Sequence, residues 1–250
     1  SAAASVENVI DLFKLKSKKF LKETNYCDKL YSKKSLFIKS YKNKISIRNL
    51  QYAYNKNKKI DFKNFDFKQG FPTAIVGKSG SGKTTLVELI LNLLIPNKGE
   101  IKINNFDIKY IEPANFYKNI AYLSQSPFLF SGSLYENIVF GSNEQINRKL
   151  LYENGLKLGL KEEFGDDFLD YQISDFGRNI SGGQAQRCSL LKIISNIKPI
   201  IIIDEPSSAL DKETSLIFTK LLLSKSKNSI LIVITHSEEQ ADLFTSKLYL

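Results

Sequence analysis

The 250-residue chain reads as an α/β protein: a mostly parallel sheet with flanking helices, a small antiparallel β subdomain and an inserted helical subdomain. Three observations predict this. Two short runs rich in β-branched residues, Ile200–Ile203 and Ile230–Ile234, are separated by a helical pattern from about Lys212 to Ser224, the alternation of a parallel sheet. Another β-rich run, Thr73–Val76, enters a glycine-dense loop and continues as an apolar helical stretch, Thr84–Leu94, closed by Pro96 and Gly99. The segment from about 125 to 198 carries helical patterns and glycines of its own, as an inserted subdomain would. A hydrophobic content of 42% over this length suffices for one large core.

From the beginning of the chain, Ser1–Ala4 reads as an expression scar, and the lack of methionine suggests a piece of a longer protein. Val6, Val9, Ile10 and Phe13 follow the i, i+3, i+4, i+7 spacing of a short amphipathic helix. Residues 1–44 otherwise form a basic connector. Between Lys14 and Lys44, eleven lysines face only Glu23 and Asp28, which accounts for nearly all of the net charge of +10. Such a run is a solvated linker, an anionic-lipid surface or a nucleic-acid contact, and with no arginine or motif beside the lysines the solvated linker leads. Residues 45–250 form the folded domain. Ile45 and Ile47, then Leu50, Tyr52 and Tyr54, alternate with one phase shift, as two strands would, and Gln69–Gly70 is a turn. The antiparallel subdomain therefore falls near 45–72 and 99–110. No apolar run reaches the roughly 18 residues of a membrane-spanning helix. Cys27 and Cys188 lie far apart and outside any C-x-x-C unit, which argues against a disulfide framework or a zinc site and fits a reducing compartment.

Chemistry concentrates in four places. Gly77-Lys78-Ser79-Gly80-Ser81-Gly82-Lys83-Thr84 matches G-x-x-x-x-G-K-[ST] between a strand and a helix, with Thr85 next on that helix. Its glycines allow backbone N–H groups to close round phosphates, Lys83 reaches the terminal phosphates, and the Thr84 hydroxyl suits Mg²⁺. The strand Ile200–Ile203 ends in Asp204 and Glu205, placed at the carboxyl edge of a parallel sheet on the side of the phosphate loop. Asp204 suits a metal ion, and Glu205 suits the attacking water. Ser181-Gly182-Gly183-Gln184 satisfies a helix capping box, whose free N–H groups attract phosphate. Finally, His236, the only histidine, follows the strand Ile230–Ile234.

Ser181–Gln184 with Gln186 and Arg187, and Asp204-Glu205-Pro-Ser-Ser-Ala-Leu-Asp211, together resemble the signature and the extended Walker B and D-loop of ABC transporter nucleotide-binding domains. The resemblance covers about residues 45–250 and implies a RecA-like P-loop core that binds and hydrolyses ATP with Mg²⁺. It implies that Ser181, Gly182, Gly183 and Gln184 contact the γ-phosphate held by a second such domain, in a head-to-tail, homodimeric sandwich. His236 stands at the place of the family's switch histidine, and Gln125 at that of its Q-loop glutamine, touching Mg²⁺ or the water. Ser208, Ala209, Leu210 and Asp211 stand at the D-loop. Tyr54 stands where the family stacks adenine, with a core role as the alternative. The stretch from Gln125 to Asn137 resembles exporters rather than importers, which implies a transmembrane domain in the same parent chain and a place on the cytoplasmic side of the cell membrane. The rival class is a soluble ABC ATPase acting on ribosomes or nucleic acid, but neither its second cassette nor its coiled-coil insertion is present, and no nucleic-acid partner is expected. Ile180, Thr84 and Ser207 depart from the commonest family residues without removing a needed group. The family normally continues with further strands past Leu250, so the resemblance implies either that the parent chain is cut here or that its C-terminus is unusually short.

Overall fold

A computed structural model describes residues 43–55, 58–142, 146–206 and 210–250. The proposed helix at Val6–Phe13, most of the basic connector, and Ser207, Ser208 and Ala209 lie outside the described residues. The described residues divide into two compact units, one containing those from 43 to 66 together with 85–120, the other those of 67–84 and 121–250.

The first unit is built on an antiparallel sheet. Strand β1 (Lys44–Asn55) pairs with β2 (Lys58–Asp61) on one side and with β5 (Lys98–Ile103) on the other, and β5 continues to β6 (Phe106–Asp107); β3 (Phe65–Lys68) also pairs with β1. Ile45, Ile47 and Leu50 of β1 are buried with Ile101 and Ile103 of β5. The phase shift expected to separate two strands is instead a bulge within one strand. The register slips between Arg48 and Gln51, and Asn49 takes a φ of 50° there, so one extra residue moves the alternation by a face without ending the strand. Gly99 of β5 lies against that bulge at φ 83°, and a Cβ there would approach the Asn49 carbonyl oxygen to 2.3 Å. The Gly99→Ala variant is therefore expected to lose about 3 kcal/mol of stability, seen as a fall in Tm of roughly 6–12 °C in thermal denaturation.

The second unit holds the parallel sheet, in the order β12 (Ser246–Tyr249), β4 (Thr73–Val76), β11 (Ile230–Thr235), β10 (Ile200–Asp204), β7 (Ile120–Leu123). Every residue of β4, β10 and β11 is buried, as expected of strands covered on both faces. Register places Asp204 beside Ile234, and Thr235 beside Val76. The chain thus leaves β4, β10 and β11 at one edge, towards Gly77, Glu205 and His236 respectively, which sets up the site. Helix α1 (Lys83–Ile90) begins at the glycine-dense loop and is shorter than the stretch expected from the sequence. Asn92 closes it at φ 55°, with Leu93 N–H donating to the Glu88 carbonyl at 2.8 Å and Asn92 N–H to that of Leu89 at 3.0 Å. This is a Schellman closure with asparagine in the left-handed position, so the helix stops before Pro96 can stop it.

Between β7 and β10 the chain is mainly helical, with a short antiparallel pair, β8 (Gly132–Ser133) and β9 (Gln172–Ile173), and with α3 (Leu134–Val139), α4 (Arg148–Lys157), α5 (Leu160–Phe164) and α6 (Gly182–Ser195) following the short α2 (Pro113–Tyr117) of the first unit. Leu134, Ile138, Leu151, Leu160, Phe168 and Leu190 form one continuous core with Ile201, Ile203 and Val233 of the sheet. Helix α7 (Lys212–Lys225) links β10 to β11, and α8 (Glu238–Ala241) links β11 to β12. Cys188 is a free buried thiol on α6, pushed up to about 12 by burial, which leaves it unreactive.

Candidate functional site

The loop Gly77–Thr84 wraps tightly at the carboxyl end of β4. Gly80 and Gly82 have φ values of 80° and 101°, which a β-carbon would make costly. A Cβ at Gly77 would lie 2.6 Å from Ser81 Oγ. Lys83 is only 6% exposed, and its ammonium donates to the Gly77 and Lys78 carbonyls at 2.8 and 2.9 Å. Burial lowers its pKa, while the negative charges of Glu205 and Asp204 pull it back up. Ser81 Oγ is buried without a partner, the condition expected of a hydroxyl that a phosphate oxygen would satisfy. The N-terminal N–H groups of α1 add further donors.

Asp204, the last residue of β10, is 4% exposed and accepts from the Thr84 hydroxyl at 3.2 Å. Burial holds its carboxyl above the usual range; the Thr84 bond opposes this and the adjacent Glu205 adds to it. Among the described residues no group of three His, Cys, Asp or Glu side chains could hold a metal ion by itself. A hydroxyl beside a carboxylate nevertheless fits Mg²⁺, a hard cation that takes few protein ligands and completes its shell with water and phosphate oxygens.

Glu205 has left the strand conformation, with a φ of 53°, a strain of about 1–3 kcal/mol for a residue with a side chain. Its carboxylate receives Gln125 Nε2 at 3.1 Å and pairs with His236 Nε2. His236 remains partly open to solvent, and Gln125 is exposed. Glutamine, glutamate and histidine, 80 and 31 residues apart in sequence, therefore meet at the sheet edge beside Asp204 and Thr84. The Gln186 amide, buried on α6, donates to the Glu205 carbonyl at 3.1 Å.

The capping box at Ser181 is complete: Ser181 Oγ accepts from Gln184 N–H at 3.1 Å and Gln184 Oε1 from Ser181 N–H at 2.9 Å. Ser181 and Gly182 are exposed, so the start of the 14-residue α6 opens to solvent. Behind it lies a network that the sequence reading did not foresee. Gln184 Nε2 donates to Glu163 at 2.9 Å, and Arg187 contacts Glu163 at 3.7 Å and Asp211 at 2.8 Å. Asp211 caps α7 by accepting from the Thr214 N–H and hydroxyl, and those bonds, with Arg187, lower its carboxyl to about 2. Only the fold could pair Glu163 with Arg187, since they lie on different helices. Leu210 is partly buried, whereas Ser208 and Ala209 lie outside the described residues.

In the first unit, Tyr54 is half exposed, which removes the core role left open by strand alternation. Its hydroxyl shares a 2.8 Å hydrogen bond with Thr85 Oγ1, and its ring meets Tyr52 edge-on at 4.9 Å.

The chain belongs to the ABC transporter family, whose family model matches residues 61–208, and it accordingly carries that family's ATP-binding fold. Among its relatives is an ATP-dependent lipid A-core flippase of Francisella tularensis subsp. holarctica (strain OSU18), 33% identical over 195 residues, a match covering 77% of this chain and 32% of the relative. Another is the glutathione/L-cysteine transport system ATP-binding/permease protein CydC of Haemophilus influenzae, 32% identical over 206 residues, covering 80% and 35% respectively. A solved bacterial Atm1-family ABC exporter with ATP bound shares the fold at a TM-score of 0.76 and 22% identity, over 84% of this chain and 37% of the other. This chain thus spans about a third of the length of the relatives it matches.

Proposed function

We propose that this chain is the ATP-hydrolysing motor of an ABC exporter. The observation that carries the reading is Glu205, strained at the end of β10 and held by Gln125 and His236 beside the Thr84–Asp204 pair. In this reading Lys83 and the loop amides hold the β- and γ-phosphates, Thr85 borders them, and Tyr54 stacks on adenine. Mg²⁺ would be held by Thr84 and Asp204, with Gln125 beside it, and would neutralise charge on the phosphates. Glu205 orients the attacking water and draws off its proton, while His236 keeps the carboxylate aimed and meets developing charge on the γ-phosphate. Most of the acceleration comes from positioning and charge.

The exposed start of α6 presents Ser181, Gly182, Gly183 and Gln184 to the γ-phosphate of a second copy. Two copies close head to tail round two ATP molecules and reopen after hydrolysis, driving a transmembrane domain of the same parent protein at the cytoplasmic face of the membrane. Relatives named as a flippase, a transport system and an exporter favour this reading over a soluble ATPase acting on ribosomes or nucleic acid. Among the described residues no helix is long and apolar enough to cross a membrane, so the reading assigns substrate passage to another segment.

The test is the molar mass of Glu205→Gln by light scattering at matched protein concentration. Doubling with Mg-ATP but not with Mg-ADP is expected, since the amide retains nucleotide but cannot accept the proton. A protein that stays monomeric while binding ATP would overturn the sandwich and the role given to Ser181.

A further inference from the structure

We infer that Gln186 is a positioning residue that holds Glu205 in its working conformation and ties it to the signature helix α6. The inference rests on the proposed function, because it takes Glu205 as the residue that activates water. Glu205 has a backbone conformation that its chemistry disfavours. A φ of 53° sets its Cβ against backbone oxygen, and Pro206, next in the chain, biases the residue before it towards extended backbone. Something must hold the turn. On one side, Glu205 N–H donates to the Ile234 carbonyl at 3.1 Å, anchoring it to β11. On the other, the Glu205 carbonyl accepts from Gln186 Nε2 at 3.1 Å.

The backbone on both sides of Glu205 is therefore pinned, and its side chain follows from that. From this turn the carboxylate reaches Gln125 Nε2 and His236 Nε2 together. If the Gln186 bond is lost, the backbone can relax towards extended φ and swing the carboxylate away from both partners. Gln186 is 2% exposed, so its amide lies out of the reach of solvent and its bond to Glu205 is not exchanged for one to water. It also lies on the helix that Ser181 caps, five residues further on. A helix moves as one rigid piece, so the position of the Ser181 end is transmitted to Glu205 through one side chain. Phosphate bound at the start of α6 and water activation at the end of β10 would then be linked within a single chain.

The experiment compares Mg-ATP turnover, KM for ATP and Tm of the full chain with those of Gln186→Ala, Gln186→Glu and Glu205→Gln. For Gln186→Ala, kcat is expected to fall about tenfold with KM changed less than about twofold, the mark of an interaction that matters in the reaction and not in nucleotide binding. Gln186→Glu keeps the shape but loses the donor. Its kcat relative to wild type should be low near about pH 8 and recover towards about pH 6, where a buried carboxyl gains a proton and can donate again. If Glu205→Gln turns over normally, the reading of Glu205 fails. If Glu205→Gln is dead while Gln186→Ala matches wild type, the inference about Gln186 fails alone. It fails too if Gln186→Ala lowers kcat, raises KM and lowers Tm together, or if the relative activity of Gln186→Glu is flat with pH. Should Gln186→Ala not fold, the pH profile of the isosteric Gln186→Glu decides.

Discussion

Lys83→Ala is expected to weaken ATP binding by at least about 100-fold, because a charge-assisted contact to phosphate from a desolvated ammonium carries about 2–5 kcal/mol when its partner is left behind. The side chain is almost wholly buried and its ammonium already spans the phosphate loop through the Gly77 and Lys78 carbonyls. It thus organises the loop and carries the positive charge there. Removing it leaves two carbonyls without that donor and the acids Asp204 and Glu205 without their nearby cation. Lys83→Arg should not restore binding, since a planar guanidinium cannot fit the space of a compact ammonium. Titration calorimetry with Mg-ATP checks this, and an affinity within about threefold of wild type would refute the assignment of Lys83 to the terminal phosphates.

His236→Ala should bind ATP with nearly unchanged affinity and lower kcat by about 10²–10³. The imidazole pairs with the Glu205 carboxylate, leaving Gln125 as the other side chain seen to hold it. A carboxylate with one of these two partners gone samples directions that miss the water. Any stabilisation of charge building on the γ-phosphate is lost as well, so both effects fall on the transition state. Phosphate release under saturating ATP measures it. Turnover within about threefold of wild type would show that histidine is a bystander.

Much of the fold was legible because strong local patterns coincide with tertiary roles. The runs at Ile200 and Ile230 could only be buried strands, and the spacing of Gly77, Gly82, Lys83 and Thr84 announces a phosphate loop. The capping box at Ser181 could likewise be read from residues three positions apart. Failures arose where a single backbone angle decides. Asn49 turns an apparent break between strands into a bulge, and Asn92 ends α1 four residues before the apolar pattern does, because asparagine tolerates the left-handed region that most residues avoid. Within the site, Asp204, Glu205 and His236 could be nominated individually. The strained φ of Glu205, the grip of Gln186 on its carbonyl and the Glu163–Arg187–Asp211 chain could not, since each depends on helices and strands meeting from distant parts of the sequence.

Strand β4 has a further consequence, for the order in which the protein is made. It occupies residues 73–76, yet its neighbours in the sheet are β11 and β12, residues 230–235 and 246–249. A nascent chain emerging from its N-terminus displays the apolar strand beneath the phosphate loop more than 150 residues before either neighbour exists. Such distant pairing is slow, and it leaves a sticky segment waiting. The ability to grip nucleotide should therefore arrive abruptly, with β11 and β12, and chains stalled before β11 should be clients for chaperones rather than partly working enzymes.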